Sequence, residues 1–124
     1  MICYKNVMNV QDKTIVIFGG TSGIGLATTN MLSQMNAKHI FSISRNPEKS
    51  FLSGSNIELV KMDVLDEDKM VSFFKKIGGY DILINAATGG DRAIGPFINM
   101  ELEGYRNSFK KLWGYTNSVR FGLQ

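Results

Sequence analysis

The stretch IVIFGGTSGIGLATTN, residues 15–30, decides how this chain is read. Four apolar residues, Ile15 to Phe18, run into four glycines within the seven positions 19–25. The β-branched run TIVIF, residues 14–18, has the length and composition of a buried strand. From Ile24 onward, apolar or small residues recur at Ala27, Thr28, Met31, Leu32 and Met35, which is helical spacing. The glycines therefore join a strand to a helix. At a helix N-terminus, unpaired N–H groups and the positive end of the helix dipole attract an anion. Side chains there must be small for the backbone to come close. Gly19 suits the sharp turn off the strand, Gly23 the approach of a diphosphate, and Gly25 close packing of the helix on the strand. Thr21 and Ser22 add hydroxyls, and Ile24 completes the stretch. The loop reads as a site for the diphosphate of a dinucleotide, with an ordinary tight strand-to-helix turn as the plain alternative.

Spacing separates the rival phosphate loops. A P-loop needs Gly-x-x-x-x-Gly-Lys-Ser/Thr. Counting from Gly20 reaches Gly25, but Leu26 stands where the lysine belongs. The Gly-x-Gly-x-x-Gly of many dinucleotide folds is absent too. The pattern present is Gly-x-x-x-Gly-x-Gly, at Gly19, Gly23 and Gly25.

The rest of the chain alternates. HIFSIS (39–44) reads as a second strand, IELVKMDV (57–64) as a third and DILINAA (81–87) as a fourth. Met70, Phe73, Phe74 and Ile77 form a helical stripe within 66–77, stopped by Gly78-Gly79. Leu102, Tyr105, Phe109, Leu112, Thr116, Val119 and Leu123 give one long helical face to the end. Residues 45–56, with Pro47 and Gly54, hold only a short helix at most. Strand-helix alternation predicts an α/β fold: a Rossmann-like, doubly wound parallel sheet of strand order 3-2-1-4. Residues 1–12 read as a lead-in and 13–124 as one domain.

Composition narrows the function classes. The chain has 124 residues, 44% of them hydrophobic, enough for a real core. A net charge of +3 without a basic run gives no reason to expect nucleic acid. No apolar run approaches a membrane span, and the N-terminus lacks the apolar core of a signal peptide. One cysteine, Cys3, allows no internal disulfide and suits a reducing, cytoplasmic compartment; no Cys/His cluster points to a metal.

On these residues the chain resembles the short-chain dehydrogenase/reductase family. The family's Thr-Gly-x-x-x-Gly-Ile-Gly is similar to residues 18–25, with Phe18 in place of the Thr. MDV (62–64) resembles the family's Asp-Val after the third strand, which implies that Asp63, beside Val64, accepts from the adenine amino group. LINAAT (83–88) resembles Asn-Asn-Ala-Gly: Asn85 and Ala87 match, Ala86 and Thr88 do not. The likeness implies that Asn85 steadies the sheet and that the neighbouring backbone touches the adenosine ribose. KLWG (111–114) is similar to Asn-Leu-x-Gly, with Lys111 for the Asn that helps hold a proton-relay water in the family. The family's catalytic Ser and Tyr-x-x-x-Lys have no counterpart here; four residues beyond Tyr105 and Tyr115 stand Phe109 and Val119. The resemblance thus implies the cofactor-binding half of an oxidoreductase that moves hydride between nicotinamide and a carbonyl or alcohol. This truncated half is expected to bind cofactor without turnover, and a non-catalytic dinucleotide-binding module or an inactive remnant is the alternative.

Single residues refine that expectation. Arg45 follows the second strand, and no Asp or Glu occurs between 39 and 47. An Arg there favours a ribose 2′-phosphate, with Ser44 as a further donor, so NADP is expected over NAD; a solvated loop arginine is the plain reading. Asp63 also suits a turn or helix cap. Lys111 reads as a surface lysine, His39 as structural, Asp91-Arg92 as a solvated pair, and Trp113 with the Phe/Tyr stripe as core or subunit contact. An uncovered fourth strand and an apolar terminal helix predict self-association.

Overall fold

In the computed structural model, which describes residues 9–87 and 95–124, strand β1 (Thr14–Phe18) lies inside a parallel sheet. Its partners are β2 (His39–Ser44), β3 (Ile57–Lys61) and β4 (Ile82–Asn85), in the order β3-β2-β1-β4. Ile15 sits opposite Ile40 on one side and Ile82 on the other. The alternation of strands and helices predicts this order, and the sheet has it.

Two helical layers explain why β1 is apolar from Ile15 to Phe18. Ile15 and Ile17 join Leu32, Ala37 and Ile40 beneath α1 (Gly23–Gln34). Val16 and Phe18 point the other way, to Ile43, Met62, Met70 and Phe73 beneath α2 (Glu67–Ile77). A strand covered on both faces carries apolar side chains on both. Ahead of β1, Val10 is buried with the first cluster and Gln11 bridges Ala37.

α2 follows its sequence signals closely. Asp66 caps it by accepting from the Lys69 N–H at 3.1 Å. Glu67 and Asp68 lie in its first turn and Lys75 and Lys76 in its last, each complementing the helix dipole. Gly78, at φ +71°, ends it in the left-handed conformation.

Elsewhere the sequence reading needs adjusting. The third strand ends at Lys61, because Asp63 turns the chain: its Oδ1 accepts from the Leu65 N–H at 3.0 Å and its carbonyl from the Asp66 N–H at 3.0 Å. Residues 45–56 hold only a 3-10 turn at Pro47–Lys49, as short as the sequence reading expects. In α1 the buried face is Gly25, Thr29 and Leu32, while Ile24 and Met31 are exposed. Thr29 is fixed there because its hydroxyl donates to the carbonyls of Gly20 and Gly25, at 3.0 and 2.9 Å.

α3 (Leu102–Gly122) keeps the exposed apolar face expected of the terminal helix. Its apolar stripe is not core: Leu102, Phe109, Leu112 and Trp113 are all more than half exposed. The helix seats itself on small and polar residues instead. Gly114, Asn117 and Ser118 are buried. A Cβ on Gly114 would overlap the Val64 side chain, so α3 approaches closer than a larger residue permits. Ser118 donates to Asn85 Oδ1 at 2.8 Å, and the Tyr80 hydroxyl donates to the Gly122 carbonyl at 2.8 Å. These contacts tie both ends of β4 to α3.

Asp81 joins the start of β4 to β1. Its carboxylate accepts from the Thr14 N–H at 2.8 Å and from Lys13 Nζ at 3.3 Å. The Thr14 bond, then the Lys13 bond, hold its pKa below the ordinary carboxylate value. A lowered folded-state pKa gives stability that is present above the unfolded pKa and is lost as pH falls through the folded one. Asp81→Asn is therefore expected to lower Tm at neutral pH and to leave a smaller drop of Tm on acidification. Thermal melts of both proteins from neutral to strongly acidic pH check this.

Candidate cofactor site

The loop after β1 takes its shape from backbone contacts. Gly19 has φ +79°, a conformation that L side chains rarely adopt. A Cβ there would lie 2.5 Å from Ala87 N and Cα, so the loop rests directly on the chain leaving β4. Gly25 presses on the Gly19 carbonyl, leaving no room for a side chain between α1 and the loop. Gly23 differs: its φ is +51°, and nothing lies within 4 Å of where its Cβ would be. The open side of the loop is thus at the first residue of α1.

That helix end is free to hold an anion. Ser22 is the N-cap, but its hydroxyl makes no capping bond, and no acidic side chain lies in the first turn. The first N–H groups of a helix have no intrahelical acceptor and carry the positive end of its dipole.

Beside it opens a cleft of about 350 Å³ at the C-terminal ends of the strands. Gly19 and Ser22 form one edge, Ser44 and Arg45 follow β2, and Ala86 and Ala87 follow β4. Met62, Asp63, Val64 and Leu65 line it beyond β3. α3 supplies the remaining wall with Asn107, Lys110, Lys111 and Tyr115. Ligands of doubly wound sheets bind at this end, where the strand order reverses, here between β1 and β4.

The lining carries three cations, Arg45, Lys110 and Lys111, against one carboxylate, Asp63. None of the three cations forms an ion pair among the described residues. Lys111 lies over the Tyr115 ring, 5.5 Å from its centroid, and the Tyr115 hydroxyl donates to the Ala87 carbonyl at 2.8 Å. Two buried polar atoms in the lining, Ser44 Oγ and Asn107 Oδ1, have no hydrogen-bond partner among the described residues. Buried polar atoms are nearly always paired, so both are acceptors or donors prepared for a ligand or water.

A family model described as short chain dehydrogenase matches residues 13–115. The chain belongs to the short-chain dehydrogenase family. It is similar to the short-chain dehydrogenase/reductase prx4 of Penicillium rubens, 35% identical over 80 residues, which cover 64% of this chain and 24% of that protein. It is also similar to the short chain dehydrogenase/reductase dpchG of Colletotrichum higginsianum, 30% identical over 116 residues, covering 83% of this chain and 42% of the relative. The chain therefore spans less than half the length of these relatives. Among solved structures, a short chain dehydrogenase from Burkholderia cenocepacia in complex with NADP superposes with a TM-score of 0.81, at 19% identity, over 93% of this chain and 48% of that one. A short chain dehydrogenase from Leptospira borgpetersenii with bound NAD+ gives a TM-score of 0.76, at 20% identity, over 92% and 46%.

In this chain the residues singled out by sequence fall into three groups. Gly19, Ser22, Ser44, Arg45, Asp63, Val64 and Ala87 line the cleft itself. Thr21, Gly23, Ile24 and Gly25 belong to the loop and the first turn of α1, outside the lining. Asn85 stands behind it, held by Ser118. His39 is on the far end of the sheet, paired with Glu58 at 3.2 Å. Thr88 and Asp91-Arg92 lie outside the described residues. Sequence reasoning passed over Asn107 and gave Lys110 and Lys111 no role in the site. Their spacing was the available signal: 107, 110, 111, 114 and 118 repeat at helical intervals on the side opposite the apolar stripe.

Proposed function

We propose that this chain forms the cofactor-binding half of a short-chain oxidoreductase and takes NADP in preference to NAD. The observation that carries the reading is the uncapped N-terminus of α1 beside a cleft whose far rim holds Arg45. The residues present fit such a cofactor. The first-turn N–H groups around Gly23 would hold the diphosphate, with Thr21 and Ser22 beside it. Arg45 and Ser44 Oγ, a buried atom without a partner among the described residues, would take the ribose 2′-phosphate. Asp63 has committed Oδ1 to its own turn, which leaves Oδ2 for the adenine amino group. Ala87 and Asn85 keep the chain after β4 against Gly19 and α3, beside the ribose.

When bound, the nicotinamide supplies hydride transfer to or from a carbonyl or alcohol. The sequence contains no Tyr-x-x-x-Lys at Tyr105 or Tyr115 to move the accompanying proton. The chain alone is accordingly expected to bind NADPH without turning over carbonyl substrates. Calorimetric titration tests the reading. NADPH should bind in the micromolar range and NADH more weakly. NADH binding as well as NADPH overturns the preference, and binding of neither overturns the cofactor reading.

Self-association belongs to the same proposal. β4 pairs only with β1 among the described strands, and α3 turns Phe109, Leu112 and Trp113 outward beside it. An apolar face next to an open strand edge invites a second copy. Sedimentation is expected to show dimers or larger species, shifted toward monomer by Leu112→Lys with Trp113→Lys. A wholly monomeric chain contradicts this.

A further inference from the structure

α3 turns its polar stripe toward the cleft and its apolar stripe outward. Asn107, Lys110, Lys111 and Gly114 follow at helical spacing on one side. The lower end of that stripe is seated, with Gly114 on Val64 and Ser118 on Asn85. Above Gly114 the stripe no longer meets the sheet and lines the cleft instead. Asn107 stands two turns above Gly114, and its Oδ1 is buried with no partner among the described residues. Burial without a partner costs an amide oxygen free energy, so the position favours a ligand that brings an N–H or O–H donor.

The same cleft is lined by Met62, Asp63, Val64 and Leu65, the segment on which Gly114 of α3 is seated. Three apolar side chains and one carboxylate suit a flat heteroaromatic ring that carries a donor at its edge. Adenine has such a donor, an exocyclic amino group with two N–H bonds. An asparagine amide matches adenine with a pair of parallel bonds, accepting from the amino group and donating to the neighbouring ring nitrogen.

We propose that Asn107 is a specificity-determining residue that reads the adenine of the bound dinucleotide, an assignment that rests on the cofactor reading above. Asp63 and Asn107 share the amino group, each accepting one of its two N–H bonds. Asn107 Nδ2 donates to the adjacent ring nitrogen. In hypoxanthine a carbonyl oxygen replaces the amino group and meets an acceptor from each of the two residues. The cleft therefore selects adenine dinucleotides over their hypoxanthine counterparts, and Asn107 supplies part of that selection.

The test compares the unaltered chain with Asn107→Leu and Asn107→Ala, titrated with NADPH and with reduced nicotinamide hypoxanthine dinucleotide phosphate. Both substitutions lie on the cleft side of α3 and use good helix formers, and thermal melts verify that each variant folds. The unaltered chain should prefer the adenine form. Each substitution should weaken NADPH binding by about 10-fold and shrink the adenine preference by a similar factor, the lower end for one bidentate base contact. An unchanged preference in both variants overturns the assignment, even if NADPH binding weakens, because a ribose hydroxyl on Asn107 would give that result. Failure of the unaltered chain to bind either dinucleotide overturns the cofactor reading and this assignment with it.

Discussion

Arg45→Glu is expected to reverse the preference between the two reduced dinucleotides. Arg45 is exposed at the end of β2, unpaired among the described residues and on the rim of the cleft. Its guanidinium is free to form two charge-assisted bonds to a phosphate, each contributing about 1.5 kcal/mol or more. Losing both reduces NADPH affinity about 100-fold. Glutamate adds repulsion of the 2′-phosphate and an acceptor for a ribose 2′-hydroxyl, so NADH binding should hold or improve. Arg45→Ala separates the two effects: it should lose most of the NADPH affinity and gain nothing for NADH. Equal losses for both dinucleotides in Arg45→Glu would mean that the residue acts only through the general field of the cleft.

Gly19→Ala is expected to destabilise the chain severely. A non-glycine residue at φ +79° costs about 1 kcal/mol or more. The added Cβ also meets Ala87 N and Cα at 2.5 Å, and backbone cannot rotate out of the way as a side chain can. Overpacking of that kind costs about 1–3 kcal/mol, and the Gly19 N–H bond to the Ile43 carbonyl, 2.7 Å, is strained by the same shift. Against a typical total of about 5–15 kcal/mol, the loss is a large fraction. Thermal melts should show Tm lower by about 10 °C or more. Gly79→Ala is the control: nothing lies near its Cβ position and its φ is not positive, so its Tm should stay close to that of the unaltered chain. A Gly19→Ala protein that melts with the control contradicts the contact between the loop and the chain after β4.

Some of this was legible in the residues and some was not, for identifiable reasons. The parallel sheet was legible because β1 is apolar from Ile15 to Phe18 and the segments around it switch between strand and helical periods. The glycine loop was legible because its glycines mark backbone contacts: Gly19 on Ala87 and Gly25 on the Gly19 carbonyl. α2 was legible down to its cap at Asp66 and its stop at Gly78. α3 was legible only in part, because periodicity reports that a helix has two unlike faces, not which face meets the sheet. Its stripe of Leu102, Phe109, Leu112 and Trp113 has the composition of a core, yet close approach over Val64 requires Gly114, Asn117 and Ser118 below. That orientation is a tertiary fact, and it carries Asn107, Lys110 and Lys111 into the cleft. In α1 the same ambiguity arose, and Thr29 decided it through its two carbonyl bonds. Asp63 shows a further limit: sequence allowed a turn role and a ligand role, and the residue has two carboxylate oxygens to serve both.

The central claim is that the N-terminus of α1 and the cleft beside it hold a nicotinamide dinucleotide phosphate. Amide-resolved NMR of the labelled chain during NADPH titration tests it most directly. The account predicts saturable shifts concentrated at Gly19 to Gly25, at Arg45 and Asp63, and at Asn107 to Lys111, with His39 and Glu58 at the far end of the sheet unmoved. No saturable shifts, or shifts centred on that far end, would contradict it.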